Sequence, residues 1–489
     1  MEKVYNLFEY KKYFYNSFNN YYIDLKKSFL EKIFNRLWIE KYKFSPIPID
    51  IIFNVHSYSQ QFFEITNDFI KPQNWIGTIT IHHKNDKIKI NLIPKVFFND
   101  KRDYVIDKLD INEINSINAH IIWWMSLHDK PYYSSIVSNM GSISSNLSES
   151  IIWMFISHTY ETISSNPYNY YSPLEEDLED VKGKIEFTRY INNISNSNFQ
   201  KIACNYDSFQ YDNNFNRIIK YVCTELRKFT INQSVIVKID EILFLLNEVE
   251  LVTSTLIDCD KVVLNPIFTD YKIILDNCKL FLSSMTTFNY NSDFTVFALL
   301  IQSEKLFENF IYGMFQKNNY PLIKKITKRN PKKLYLAKQF PQNIKKFEIR
   351  NDIIIHLKNG TYIIFDCKYK LINDNVINDD SLYRKISQQD IYQMVSYSIS
   401  SGIDNICLLY PKSYNEVINS DNITFEIVDE FTTGKVIKIH IYKIDILNDN
   451  LSDIKFSIES TFNKTNSRIK VNLDDITTSI SKYETVTSI

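Results

Sequence analysis

The 489-residue sequence predicts a multidomain α+β protein. It would have a β-rich N-terminal domain, a helical middle and a C-terminal α/β domain on a central mixed sheet. Three observations predict this. The chain is longer than one compact core supports. Short β-type runs cluster between residues 48 and 95. After residue 290 an apolar helical pattern gives way to β runs alternating with helix. The expected boundaries are 1–110, 111–289, 290–445 and 446–489.

Residues 1–45 mix charges and aromatics at helical spacing, with Leu25, Phe29, Ile33 and Leu37 four apart. IDIIFNV, WIGTITIHH and KIKINLIPK then read as strands, the last two joined by a turn at Asn85–Asp86. Residues 105–165 return to helical spacing, with Trp123, Trp124, Trp153 and Phe155 as candidate core. The polar, acidic stretch 166–182 reads as a loop, and 213–282 as mostly helical. TVFALLIQSEKLFENFIYGMF (295–315) reads as one long amphipathic helix. Two β runs (352–357 and 361–368), a helix at 388–400, a β run at 406–410 and two more around Thr433–Gly434 follow. Residues 446–489, rich in Ser, Thr, Asn and Asp, read as a peripheral extension.

Composition narrows the classes of function. With 7 Gly and 12 Pro the chain is neither collagenous nor linker-like. The formal net charge of -1 means that a nucleic-acid surface would have to be a local patch. The six cysteines form no CxxC pair and have no His cluster beside them, so a zinc site or disulfide framework is not expected. The N-terminus lacks the apolar core of a signal peptide, and no apolar run is long enough to span a bilayer. A cytoplasmic protein without a membrane partner is expected. GxxxxGK[ST], GxSxG and HExxH are absent, so the chain should not hydrolyse nucleotide itself. His82 and His83 read as surface residues.

Chemistry concentrates in NDIIIHLKNGTYIIFDCKYK, residues 351–370. Two apolar runs flank Lys358–Asn359–Gly360. A two-residue loop would set Asp352 opposite Cys367 and turn Asp366 to the other face. A three-residue loop, with Gly360 left-handed, would set Asp352 opposite Asp366, with Lys368 on the same face. The three-residue loop is expected. Paired carboxylates repel unless a cation joins them, and hard oxygen donors suit Mg²⁺ or Mn²⁺. An adjacent ammonium could orient an attacking water. Alone, these residues fit a strand end carrying solvated charges better than a metal site.

Three features add weight. Glu308 lies among apolar neighbours on the preceding helix, although Glu304 competes for the same role. Asp390, Gln393 and Tyr397 share one face of the 388–400 helix. Residues 324–346 carry Lys324, Lys325, Lys328, Arg329, Lys332, Lys333, Lys338, Lys345 and Lys346 without an acid, which fits phosphate contact or a solvated loop.

This order resembles the PD-(D/E)xK nuclease superfamily. In detail it is similar to McrC, the nuclease subunit of McrBC-type restriction systems, LlaJI-like relatives included. The matching segments are LFENF (306–310), IRND (349–352), FDCKYK (365–370), QDIYQMVSY (389–397) and LLYP (408–411). Upstream, IGTITI…INLIPK (76–95), VKGKIEF (181–187) and CNYDSFQYDNNFNRIIK (204–220) also match. Asn351 stands where the family has Pro. The resemblance implies metal binding by Asp352, Asp366 and Glu308, catalysis by Lys368, and supporting roles for Gln393 and Tyr397. It also implies a hexameric AAA+ GTPase or ATPase partner, docked by the N-terminal β-rich region, and double-stranded DNA as substrate. A non-catalytic adaptor that stimulates the motor and a stand-alone repair nuclease are the alternatives.

Overall fold

A computed structural model of the protein describes residues 2–14, 27–42, 62–83, 86–98, 109–127, 146–264, 269–290, 294–328, 333–372, 386–414, 423–428, 436–447 and 458–486. The expected strand at 49–55 and the turns at Asn85 and Thr433–Gly434 lie outside these residues. The chain forms two compact units, one of residues 1–150 with 284–489, the other of residues 151–283. These limits differ from the expected boundaries near 110, 289 and 445, because residues after 284 complete an N-terminal sheet.

That sheet has the order β1 (Glu2–Phe8), β6 (Asp86–Ile93), β5 (Trp75–His83), β11 (Phe294–Gln302), β10 (Met285–Tyr290). The first residues are therefore strand, not helix, and β1 runs parallel to β6. Helix α1 (Lys27–Tyr42) covers the sheet with Leu30, Ile33, Phe34 and Leu37 against Ile79, Ile81, Ile88 and Ile90. A small sheet of β2 (Tyr13–Phe14), β4 (Phe69–Pro72) and β3 (Phe63–Ile65) lies beside it in sequence. Gly77 allows β5 to approach β11: a Cβ there would sit 2.0 Å from the Leu299 carbonyl oxygen.

The expected helix at 295–315 is half strand. TVFALLIQ forms β11, with Val296, Ala298 and Leu300 in the α1 core and Phe297 and Leu299 buried too. A continuous apolar run carries no periodicity that separates helix from a strand buried on both faces. Helix begins only at Ser303.

Between the first and last parts of this unit run α2 (Ile111–Ser126) and the start of α3 (Leu147–Ser165). Trp123, Trp124 and Phe155 are buried, whereas Trp153 is half-buried. The second unit contains the rest of α3, with α4 (Phe187–Ser195), α5 (Asn214–Arg227), α6 (Gln233–Leu245), α7 (Leu256–Lys261) and nearly all of α8 (Thr269–Ser284). Its sheet, β7 (Tyr170–Leu178), β9 (Ile202–Gln210), β8 (Lys184–Ile185), replaces the loop expected at 166–182. The acidic residues of β7 are accommodated because both faces of the strand are open: Asp177 pairs with Arg189 at 2.9 Å on one, and Glu176 accepts from the Tyr206 hydroxyl at 2.8 Å on the other.

After α9 (Ser303–Lys317) comes a six-stranded mixed sheet. Its order is β12 (Ile323–Lys328), β15 (Ile353–Leu357), β16 (Tyr362–Cys367), β17 (Asn405–Pro411), β19 (Val436–Ile444), β18 (Ile423–Val428). A separate two-stranded hairpin, β13 (Leu334–Gln339) and β14 (Ile344–Ile349), interrupts it in sequence. Helix α9 packs on one side, with Phe315 edge-on to Phe365 at 5.2 Å. Helix α10 (Gln388–Ser401) packs on the other through Met394 and Tyr397, against Ile364, Ile406 and Leu408.

The expected peripheral extension contains α11 (Ile458–Val486), which buries Ile469, Leu473, Ile476 and Ile480 against α2, α9 and β19. The stripe repeats at intervals of four, three and four residues, but its apolar members are sparse in a polar background.

The N-terminal and six-stranded sheets are tied by buried charge. The Lys95 side chain, 8% exposed, lies between the rings of Tyr10 and Tyr369, each 4.4 Å away. It donates to the Tyr369 carbonyl oxygen at 2.6 Å. Glu9, 3% exposed, accepts from the Lys95 backbone N–H at 3.1 Å and from the Ser303 hydroxyl. Burial raises the Glu9 carboxyl above its ordinary value, while Lys95 opposes the rise. Lys95→Met should lower unfolding stability by about 3 kcal/mol in denaturant titration, because it strands a buried acid and a carbonyl. An unchanged midpoint would show that the joint carries no stability.

Candidate functional site

The β15–β16 hairpin turns through Lys358–Asn359–Gly360. The Leu357 N–H donates to the Thr361 carbonyl at 2.8 Å, and Gly360 has φ +97°. Asn359 Oδ1 caps the turn by accepting from the Thr361 N–H. His356 faces Tyr362 and Ile353 faces Phe365, so one step further Asp352 faces Asp366.

Around this pair the polar groups are connected. Asp366, 2% exposed, lies on β16 two residues before Lys368, whose ammonium is 2.6 Å from its carboxylate. Lys368 also donates to Gln393 Oε1 at 2.8 Å. Gln393 Nε2 donates to the Tyr397 hydroxyl at 2.5 Å, which donates to the Arg350 carbonyl at 3.1 Å. Gln393 and Tyr397 thus hold the lysine and the approach to Asp352 together. Asp352, half-buried, accepts from the Cys367 N–H at 2.8 Å.

Burial raises the Asp352 carboxyl, and Asp366 and Glu308 raise it further. Glu308, half-buried on α9, is therefore close enough to act on Asp352 electrostatically. Burial also raises Asp366, against the pull of Lys368. For Lys368 burial works against charge, but Asp366 outweighs it and holds the ammonium protonated. Burial lifts the Tyr397 phenol to about 12, so it stays a neutral donor.

Sequence reasoning overlooked two features. Lys370 grips Asp390 at 2.8 Å, with Tyr410 behind it, so Asp390 pairs directly with Lys370 and acts on Lys368 only through its charge. Asn351 is 1% exposed, and neither side-chain polar atom has a hydrogen-bond partner among the described residues. Its signals in the sequence were its position immediately before Asp352 and its replacement of the family's proline.

Among the described residues no three His, Cys, Asp or Glu side chains already converge as a metal-holding group. The residues nevertheless fit a hard divalent cation. Two facing carboxylates are destabilised by one another, their donors are oxygen, and an orphaned amide adjoins them. Asp352 and Asp366 form this pair; Glu308 would have to move in to complete a three-carboxylate set.

Of the expected phosphate-binding residues, Lys324, Lys325 and Lys328 lie on edge strand β12. Lys324 and Lys325 are exposed, while Lys328 contacts Asn309 and lies 5.3 Å from the centre of the Tyr312 ring, both one helical turn or less from Glu308. Lys333 is exposed before β13; Arg329 and Lys332 lie outside the described residues. All six cysteines are free and buried. No described helix is long and apolar enough to cross a membrane.

A family model described as McrBC 5-methylcytosine restriction system component matches residues 70–411. The chain belongs to the McrBC family. Among solved structures it is similar to a refined half-complex from a tetradecameric assembly of Thermococcus gammatolerans McrB AAA+ hexamers with bound McrC. That match has TM-score 0.57 and 16% identity, and covers 97% of this chain and 100% of the other. A cryo-EM structure of the Thermococcus gammatolerans McrBC complex matches with TM-score 0.45 and 15% identity, over 65% of this chain and 90% of the other. No curated protein matches. At 16% identity the likeness to the first of these structures speaks for the fold alone.

The geometry of this McrBC-family site predicts a stability signature. A carboxyl raised above its ordinary value stabilises the fold at low pH, and that contribution is lost as pH rises. Without divalent metal, Asp352→Asn should therefore be more stable than wild type at pH 8, by about 1 kcal/mol. The gap should close as pH falls into the ordinary carboxylate range. If the Asp352→Asn chain were instead less stable than wild type at pH 8, the stated repulsion would be contradicted.

Proposed function

We propose that this chain is the Mg²⁺-dependent DNA endonuclease subunit of an McrBC-like restriction or antiviral defence system, of the PD-(D/E)xK type and similar to McrC. The observation that carries the reading is the facing of Asp352 and Asp366 across the hairpin, with Lys368 on the same face. Membership of the McrBC family supports it.

Asp352 and Asp366 would hold the metal, with Glu308 as a third carboxylate. Mg²⁺, or Mn²⁺ in its place, would supply charge neutralisation on the phosphate under attack. Lys368 keeps its proton, so it acts as a positive donor that orients the water. Gln393 fixes that ammonium, and Tyr397 fixes Gln393. The water oxygen bonds to phosphorus and its proton passes to solvent, while the bond from phosphorus to the leaving sugar oxygen breaks and that oxygen takes a proton from solvent to leave as a hydroxyl. Lys324, Lys325 and Lys328 on β12 would contact backbone phosphates of double-stranded DNA, with Arg329, Lys332 and Lys333 continuing the patch.

The similar Thermococcus structure contains McrC bound to McrB AAA+ hexamers. We assign this chain an equivalent AAA+ NTPase partner, a GTPase in the McrB manner, with the N-terminal sheet region as docking element. The pair would act on DNA in the cytoplasm.

The decisive experiment is cleavage of plasmid DNA by the chain with its AAA+ partner, nucleotide and Mg²⁺. Lys368→Ala and Asp366→Ala should each reduce cutting by about a thousandfold or more, while stimulation of the partner's NTP hydrolysis persists. Cutting at the wild-type rate by both variants would overturn the site. Partner stimulation with no cutting by wild type would establish the adaptor instead.

A further inference from the structure

The β13–β14 hairpin belongs to neither large sheet. Its root is anchored: Ile349 is buried and Leu334 packs on the α10 core. Beyond the root it stands out, with every residue from Leu336 to Glu348 exposed. Phe340 at the turn is 74% exposed and Phe347 is 72% exposed. Bare phenyl rings on a two-stranded arm bury nothing, and such arms have little stability of their own.

Two further features make the arm unusual. Phe347 has φ +59°, a left-handed backbone that a bulky side chain rarely adopts. The pairing skips this residue: Tyr335 faces Glu348 and Ala337 faces Lys346, with no rung at Leu336 and Phe347. The ladder is thus broken where the exposed ring is presented. Lys338 directly faces Lys345, and Lys346 adjoins them. Like charges opposite one another weaken a hairpin unless an anion lies between or over them. From residue 333 to residue 347 there are four lysines and no acid, and the nearest acid, Glu348, is held by Arg350 at 2.8 Å.

The arm also leads into the site. β14 continues through Arg350 and Asn351 to Asp352, and Tyr397 holds the Arg350 carbonyl. Phe347 lies five residues before Asp352, roughly 15 Å along an extended chain. Flat apolar rings interleaved with lysines match a ligand that is polyanionic and has exposed flat faces.

We propose that the β13–β14 hairpin is a DNA-binding arm that stacks Phe347 and Phe340 on unpaired or unstacked bases beside the scissile phosphate, with Lys338, Lys345 and Lys346 on the flanking phosphates. This rests on the nuclease reading for its location, and extends it from duplex-backbone contact to a locally opened strand. A protein partner is the competing occupant.

The test is binding by the full chain, without cleavage, of oligonucleotides carrying 2-aminopurine in a single strand, in an internal unpaired loop, or in perfect duplex. Wild type should bind the single strand and the loop more tightly than the duplex, and quench the probe. The Phe340→Ala/Phe347→Ala variant should lose about tenfold or more of that affinity, together with the quench, and keep its salt dependence. The Lys338→Ala/Lys345→Ala/Lys346→Ala variant should show a salt slope shallower by about 2–3 and retain the quench. All five positions are exposed, and unchanged melting curves would show that the variants fold. Wild-type affinity and quench in the double Phe variant would overturn the proposal. So would loss of AAA+ partner binding with DNA binding intact. DNA bound in this way but never cut would sink the nuclease reading and leave the arm standing.

Discussion

The register of one hairpin governs this site. Three residues, Lys358 to Gly360, lie between the hydrogen-bonded Leu357 and Thr361 at the turn of the β15–β16 hairpin, and Gly360 takes the left-handed conformation that such a loop needs. With one residue fewer, Asp352 would face Cys367 and Asp366 would turn to the opposite side of the sheet. As it is, the two acids face each other, and Lys368 falls on the α10 side beside Gln393. The arrangement is unfavourable by itself, because burial raises both carboxyls and the charge of Asp366 raises Asp352 further. A protein tolerates such a site when something else supplies charge there, and Lys368 supplies only part of it.

The surroundings hold that hairpin from several directions. Tyr397 and Gln393 reach it from α10, and α9 packs behind β16. Tyr369, immediately after Lys368, receives the buried ammonium of Lys95. The residue next to the proposed catalytic lysine is thereby joined to the N-terminal sheet through Lys95, Glu9 and Ser303. The path is a contiguous set of buried polar contacts within one compact unit. It supplies a physical route by which an event at the N-terminal sheet could reach the site.

Much of the site was legible in the sequence, because it depends on local rules. Strand alternation and a three-residue Lys–Asn–Gly loop were enough to set Asp352, Asp366 and Lys368 on one face, helical spacing put Gln393 and Tyr397 on one face of α10, and the family resemblance joined the two sets. The Lys95–Glu9 joint was not legible, since it links residues far apart in the chain. The misread elements share a cause as well. TVFALLIQ is a strand because it completes a sheet begun more than two hundred residues earlier, and its apolar run contains no periodicity to reveal this. EKVYNLF becomes a strand by pairing with β6, and the acidic β7 by pairing with β9. Helix α11 buries a thin stripe in a polar sequence, so its partner surfaces on α2, α9 and β19 had to be known first.

The central claim is that Asp352 and Asp366 form a divalent-metal site. Mn²⁺ titration of the full chain, followed by electron paramagnetic resonance of the free ion, tests it without requiring cleavage or a partner. The account predicts saturable binding by wild type that is lost in Asp366→Asn and in Asp352→Asn, and retained in Glu426→Gln on the remote strand β18. Equal binding by wild type and both Asp→Asn variants would contradict it.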